Sequence, residues 1–114
     1  MSDKYLQVEW IQTDKKKSYN KRFKKKWGST IFYKNNTWKD GIGGGGIYKK
    51  YTKKGKLIIV FNTVRKTKKN MKTFFKFGTF VLPSKKKLMG GGLHKWYGCQ
   101  APLGYTEGYM RKKN

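Results

Sequence analysis

Apolar and polar positions alternate along several stretches of the chain, and each alternation predicts a strand. Residues 4–12 alternate loosely, which predicts a short strand or an extended arm. The stretch STIFYKNNTW predicts a strand, a turn at Asn35-Asn36 and the start of a second strand. A further run, MKTFFKFGTFVLP, predicts a strand that ends at Pro83, with its four Phe residues in the core.

The middle of the chain fits two predictions. In the first, residues 47–52 and 57–64 form a hairpin around a turn at residues 53–56. In the second, residues 57–69 form a helix, because apolar residues recur at helical spacing. The β-branched content favours the hairpin only slightly. The positions that fit the helical spacing are Leu57, Val60, Phe61 and Val64.

Glycine punctuates the chain and limits the helix content. Five glycines occupy six consecutive positions, 41–46, which predicts a loop or a close backbone approach rather than a helix or an interior strand. In the tail, Gly98, Gly104 and Gly108 with Pro102 argue against a long helix. The predicted fold class is α+β and β-rich: a small antiparallel sheet with basic extended segments and Gly-rich loops.

The net charge of the chain indicates which kind of partner it binds. The chain of 114 residues has 29 basic and 5 acidic residues, a formal net charge of +24. An isolated fold repels itself at such a charge, so a polyanion is the expected partner. No apolar run approaches the roughly 18 residues of a membrane helix, so we expect no membrane. Aromatic residues, 17% of the chain and interleaved with lysine, favour nucleic acid, and RNA over DNA.

The length of the chain and its N-terminal residues predict the number of domains and the site of synthesis. One domain over residues 1–114 is expected, with a basic arm at about 13–28 and a compact part at about 29–110. The arm is compatible with a helix, on which Tyr19, Phe23 and Trp27 would form one stripe, and equally with an extended segment. The N-terminal residues predict neither a secretory signal nor a transit peptide, so an organellar protein of this kind would be made in the organelle.

The stretch SKKKLMGGGLHKWYG, residues 84–98, raises the question of an enzyme. A phosphate-binding loop needs Ser or Thr after its lysine and then a helix, but Trp96 follows Lys95. The acidic residues are too scattered for a two-metal site, and the lone His94 and Cys99 lack the partners of a catalytic or zinc site. We therefore expect no enzyme, no cofactor, no metal ion and no small-molecule substrate.

Binding to a nucleic acid requires no catalytic geometry. The lysine clusters along the whole chain supply the positive charge that it needs. Lysine can neutralise phosphates, glycine permits close backbone approach, and aromatic rings near lysines stack on bases. Tyr48, Tyr51 and Tyr97 are further stacking candidates. The predicted nucleic-acid contacts are Lys15, Lys16, Lys17, Lys21, Arg22, Lys24, Lys25, Lys26, Trp27, Lys53, Lys54, Lys85, Lys86, Lys87, Gly90, Gly91, Gly92, His94, Lys95 and Trp96.

The C-terminal third also resembles a known family. Pro83-Ser84-Lys85-Lys86 and Met89-Gly90-Gly91-Gly92, followed by Trp96, are similar to a loop element of the L-sixteen family of large-subunit ribosomal proteins. The basic stretch KSYNKRFKKKWG, residues 17–28, is similar to the basic N-terminal segment of that family. The resemblance implies that Lys85, Lys86, Gly90 and Gly92 contact ribosomal RNA and that residues 57–69 are helical.

The sequence thus predicts a non-enzymatic, structural RNA-binding protein embedded in a large ribonucleoprotein beside neighbouring proteins. A ribosomal protein of an organellar, for example mitochondrial, or AT-rich system is the simplest case. The alternative is a virion or nucleoid protein that binds packaged DNA or cements a capsid, because that environment is also a polyanion.

Overall fold

Eight antiparallel strands close into a barrel in this computed structural model, which describes residues 3–11, 26–41, 43–65, 76–102 and 104–113. One short helix, α1 (Lys85–Met89), lies between the sixth and seventh strands. The strands are β1 (Lys4–Ile11), β2 (Lys26–Tyr33), β3 (Thr37–Asp40), β4 (Gly45–Lys53), β5 (Lys56–Arg65), β6 (Phe77–Pro83), β7 (His94–Ala101) and β8 (Gly104–Lys112).

Each strand pairs with the next one in the chain, and β1 pairs with β8 to complete the ring. In such a meander the connections alternate between the two ends of the barrel. The β2–β3 turn, the β4–β5 turn and α1 therefore lie at one end, here called the helix end. Ile11 and Lys26, which pair at the start of β2, lie at the opposite end.

The predicted α+β fold class is wrong, because the described chain is nearly all strand. Residues 57–65 belong to β5, so the helix that the resemblance implies is absent there, and the hairpin prediction is confirmed. Leu57, Ile59 and Phe61 face the interior at a period of two, whereas Val60 and Val64 face outward. Short apolar runs satisfy both periods, and only the pairing with β4 and β6 separates them.

Other strand predictions hold with different boundaries. The strand near the N-terminus, the turn at Asn35-Asn36 and the strand ending at Pro83 are confirmed. The barrel includes residues 4–11 and begins β2 at Lys26, both outside the segment 29–110 that the sequence suggests as compact. These strands belong to the barrel because β1 pairs with both β2 and β8, a long-range contact that alternation does not reveal.

Inward-facing aromatic rings fill the barrel, and each of five rings faces a glycine on the following strand. Directly opposed residues of an antiparallel pair share a face. At Gly78 and Gly108 the missing side chain leaves room for the opposed ring, because an added Cβ would come within 3.1 Å of it. Neighbouring rings then contact one another; Phe61 and Phe80 stack with centroids 4.8 Å apart. The opposed pairs are Trp10–Gly28, Trp38–Gly46, Phe61–Gly78, Phe80–Gly98 and Trp96–Gly108.

This pattern corrects the prediction for the glycine run. Gly45 and Gly46 begin β4 and are not part of a loop, although glycine is normally poor in strands. A Cβ atom at Gly46 would collide with the backbone carbonyl of Asn62, while the opposite Trp38 donates its indole N–H to the same carbonyl at 3.2 Å. The alternative prediction of a close backbone approach is therefore confirmed at Gly46.

Helix α1 covers the helix end of the barrel. Leu88 is fully buried and belongs to the core cluster, so the helix is anchored by one apolar side chain. The Ser84 side chain caps the helix by accepting a hydrogen bond from the Lys87 N–H at 3.2 Å. The three lysines of α1 thus occupy fixed positions on the barrel rather than on a free loop.

Candidate nucleic-acid interface

Seven lysines from two neighbouring segments gather at the helix end of the barrel. Lys56 pairs with Pro83 across β5 and β6, which places the β4–β5 turn beside the start of α1. Segments 50–56 and 83–92 contain no acidic residue. We call this group the lysine pole; it comprises Lys50, Lys53, Lys54, Lys56, Lys85, Lys86 and Lys87.

The turn that carries half of the pole is built by its own sequence. Lys54 and Gly55 have φ angles of 51° and 73°, the left-handed pair that a tight two-residue hairpin requires. Lys53 and Lys56 are directly opposed at the strand ends and both are exposed. Because like charges so close repel each other, this end favours a bound anion.

Tyr5 joins the two halves of the pole. The ammonium of Lys85 lies 4.0 Å and that of Lys50 lies 4.4 Å from the centroid of the Tyr5 ring. Both distances are within the range of a cation–π interaction, which holds the cations near an aromatic face instead of a carboxylate. Burial raises the pKa of the Tyr5 hydroxyl, so it stays neutral beside them.

The glycine loop after α1 uses two of its backbone N–H groups within the protein. The N–H groups of Gly90 and Gly91 donate to the carbonyls of Lys87 and Leu88, both at 3.1 Å. These two N–H groups therefore close the end of the helix and are not directed at a phosphate. The loop is exposed, and His94 contacts the Gly91 carbonyl through Nε2 at 2.9 Å. Gly92 at φ 83° gives the chain its turn toward β7.

The predicted stacking residues separate into buried and exposed groups. Trp96 is only 5% exposed and packs inside the barrel against Trp10, with centroids 5.2 Å apart, so its ring has no face open to a base. Tyr48 is buried as well. Tyr51 and Tyr97 are exposed on the outer surface. Phe80 packs against the core as predicted, whereas Phe77 is 59% exposed.

The structure assembles only part of the predicted site. Lys53, Lys54 and Lys85–Lys87 come together, while Lys95 forms an ion pair with Glu107 at 3.5 Å on the outer surface. Lys26 and Trp27 belong to β2 at the opposite end. Outside the described residues lie Lys15, Lys16, Lys17, Lys21, Arg22, Lys24 and Lys25, together with Tyr19, Phe23, Phe74 and Phe75.

Sequence reasoning missed three members of the arrangement: Tyr5, Lys50 and Lys56. Lys56 belongs to the predicted turn, so the hairpin prediction already implied that it lies beside Lys53. Tyr5 and Lys50 are 45 positions apart in the sequence and belong to β1 and β4, two strands that do not pair with each other. No local pattern indicates that contact.

Other chemistries find little support in the described part of the chain. Within it, no group of three or more His, Cys, Asp or Glu side chains is placed to hold a metal ion. No helix among these residues is long and apolar enough to cross a membrane. Comparison with protein-family models, curated proteins and solved structures finds no match to this chain.

Proposed function

We propose that this protein is a non-enzymatic, structural RNA-binding component of a large ribonucleoprotein, such as a ribosome. The lysine pole is the observation that carries the proposal. Seven lysines with no carboxylate in their segments form a surface suited to a phosphate backbone. Lysine acts there as a point charge, so the contact is to phosphates rather than to base edges.

The arrangement of the pole supports a rigid contact. A capped helix and a tight hairpin hold the lysine backbones in place, so little backbone entropy is lost when RNA binds. Described basic residues also lie at the opposite end of the barrel, where β2 begins at Lys26, β5 ends at Arg65 and Lys76 precedes β6. The barrel therefore carries basic residues at both ends, as a protein surrounded by RNA requires.

Matched charge removal tests the proposal. The triple variant Lys53→Gln, Lys86→Gln, Lys87→Gln removes three charges from the pole; Lys39→Gln, Lys49→Gln, Lys76→Gln removes three exposed charges elsewhere. For the pole variant we expect the slope of log affinity for RNA against log salt to fall by about 2 to 3, at about 0.7–0.9 per phosphate contact. Equal slopes for the two variants would show that the pole is not the contact.

A second measurement separates RNA from DNA. The protein in cell extracts is expected to sediment with a large particle, and RNase but not DNase treatment should release it. Release by DNase alone would assign it to packaged DNA instead. Metal-dependent cleavage of RNA by the purified chain would contradict the non-enzymatic assignment.

A further inference from the structure

One side of the barrel contrasts with the rest of this lysine-rich chain. The central parts of three adjacent strands, residues 58–62, 77–81 and 97–101, contain no charged residue. Their outward side chains, with one from β8, form what we call the apolar face. It comprises Val60, Phe77, Val81, Tyr97 and Tyr105, together with Ile58, which is packed between its neighbours and only 7% exposed.

The register makes this face continuous. Ile58, Val81 and Tyr97 form one row across β5, β6 and β7. Val60, Thr79, Cys99 and Tyr105 form the next row. Phe77 lies beside Asn62 and Ala101 in a third. Tyr105 is 62% and Phe77 is 59% exposed, so these side chains face solvent. Outward strand positions normally carry polar side chains, so exposed rings here are unusual.

Its composition favours a protein over a nucleic acid. A surface that binds an RNA strand combines stacking rings with cations that follow the phosphates. Among the residues of the face, Tyr97 and Tyr105 are the one pair of neighbouring rings, with centroids 6.4 Å apart, and Val60 and Val81 lie beside them instead of cations. Glu107, the one acidic residue of the region, accepts a hydrogen bond from the Tyr105 hydroxyl at 3.0 Å. Depletion of charge together with exposed Tyr and Phe is typical of the centre of a protein interface.

The border of the face specifies the partner further. Lys49 and Lys53 on β4, Lys56 on β5 and Lys76 before β6 surround it, and all four are exposed. Lys95 adds a cation that is paired with Glu107. A second copy of this chain would bring the same cationic border and a charge of +24, which opposes association. A complementary surface is apolar in its centre and acidic at its edge.

We propose that the apolar face docks a different protein, through a surface with an apolar centre and an acidic border. The inference does not rest on RNA binding, because the apolar centre of the face lies on strands β5–β8; only Lys53 and Lys56 belong both to its border and to the lysine pole. It predicts that neighbouring protein, rather than RNA, covers this side of the barrel in the native complex.

Cys99, exposed in the middle of the face, reports on whether it is covered. We would measure its reaction rate with N-ethylmaleimide in the purified full chain and in the native complex, before and after RNase digestion. We expect at least a tenfold slower reaction in the complex, which persists after RNase. An unchanged rate, or a rate restored by RNase, would overturn the proposal.

Charge placed on the face tests the same inference independently. Val60→Lys is expected to reduce recovery of the chain in the native complex at least tenfold while leaving RNA affinity of the purified chain undiminished. The control is Ile31→Lys, a half-buried outward position on β2, across the barrel. Thr79→Lys replaces Val60→Lys if circular dichroism shows that the first variant is unfolded. Equal recovery of the face and control variants would contradict the proposal.

Site-specific cross-linking identifies the occupant. A benzophenone amino acid at Val60, irradiated in cells, should attach to a peptide of another protein that has carboxylates beside apolar residues. Attachment to RNA, to a second copy or to another segment of the same chain would refute the assignment. The measurement does not depend on the pole, so its failure and that of RNA binding are distinguishable.

Discussion

Trp96 on β7 and Gly108 on β8 lie directly opposite each other, and a Cβ atom at Gly108 would be 3.1 Å from the indole Nε1. The glycine is therefore part of the core packing rather than a sign of flexibility. The same opposition of ring and glycine recurs on four other strand pairs, and at Gly78 an added Cβ would likewise meet the opposed ring, 2.9 Å from Phe61 Cε1. The barrel therefore depends on small residues at specific interior positions.

Gly108→Ala is expected to lower the free energy of unfolding by about 1–3 kcal/mol, the usual cost of overfilling a packed core. Gly98→Ala should cost more, because its Cβ would collide with the backbone carbonyl of Thr79 and not with a side chain. Urea denaturation followed by tryptophan fluorescence measures both.

Gly41→Ala is the control for these substitutions. Its Cβ would meet only atoms at ordinary contact distance, 3.7 Å or more, so we expect a change within about 0.5 kcal/mol. Similar losses for all three variants would contradict the assignment to core packing, since the effect of alanine on the unfolded chain alone is stabilising.

Leu88→Ala should destabilise the protein by about 2–5 kcal/mol, since it removes a fully buried side chain from the core. It should also reduce RNA affinity, because Leu88 anchors the helix that carries three lysines of the pole. The neighbouring Met89→Ala is the control, as Met89 is 41% exposed. Unchanged stability of the Leu88 variant would show that α1 is not docked on the barrel.

Glu9 on β1 and Arg111 on β8 form an ion pair at 2.6 Å across the pair of strands that closes the ring. The Glu9 side chain is largely buried and that of Arg111 is partly exposed. Arg111→Leu should cost about 1–3 kcal/mol, because the buried carboxylate loses its cation. In the double variant with Glu9→Gln we expect part of the loss to be recovered. A double variant whose loss equals the sum of the single losses would indicate no coupling between the two residues.

Tyr48 provides a prediction for alkaline pH. Burial, followed by the charge of nearby Tyr5, raises the pKa of Tyr48 to about 12. Its hydroxyl donates to the Tyr33 carbonyl at 2.7 Å. Because the unfolded tyrosine ionises near pH 10 and the folded one near 12, its contribution is fully present below pH 10 and is lost across this interval.

Chemical denaturation between pH 9 and 12 measures this contribution against Tyr48→Phe. The wild-type protein should lose up to about 2 kcal/mol more than the variant over the interval, at about 1.4 kcal/mol per unit of pKa difference. Parallel pH profiles of the two proteins would contradict the assignment to Tyr48.

Local features of the fold were readable from the sequence, whereas its closure was not. Turn residues such as Asn36 and Gly55 and the terminating Pro83 mark strand ends through their own conformational preferences. The pairing of β1 with β8 joins residues about 100 positions apart and has no local signature. The helix suggested for residues 57–69 failed because a short apolar run carries both periods.

The candidate site was likewise predicted in its local features and not in its long-range ones. Lys53, Lys54 and Lys85–Lys87 were identified from charge clusters, and the structure brings them together. Trp96 was misplaced because an aromatic residue beside lysines has the same local sequence whether its strand position faces inward or outward. Its orientation follows only from the register with Gly108. The apolar face was likewise hidden, since its rows combine residues from four strands.

Closure of the ring limits how a copy with an uncovered apolar face can associate with other copies. Every one of the eight described strands has a hydrogen-bonded neighbour on both sides, so the ring has no wholly open strand. Short edges do occur, such as residues 48–53 of β4, which extend beyond the pairing with β3. A copy without its partner can associate through the side chains of its apolar face, whereas the cross-β pairing that builds fibrils has only such short edges as a template, and Lys49, Lys50 and Lys53 oppose it at this one. Its self-association is therefore expected to be weak, reversible and dispersed by dilution.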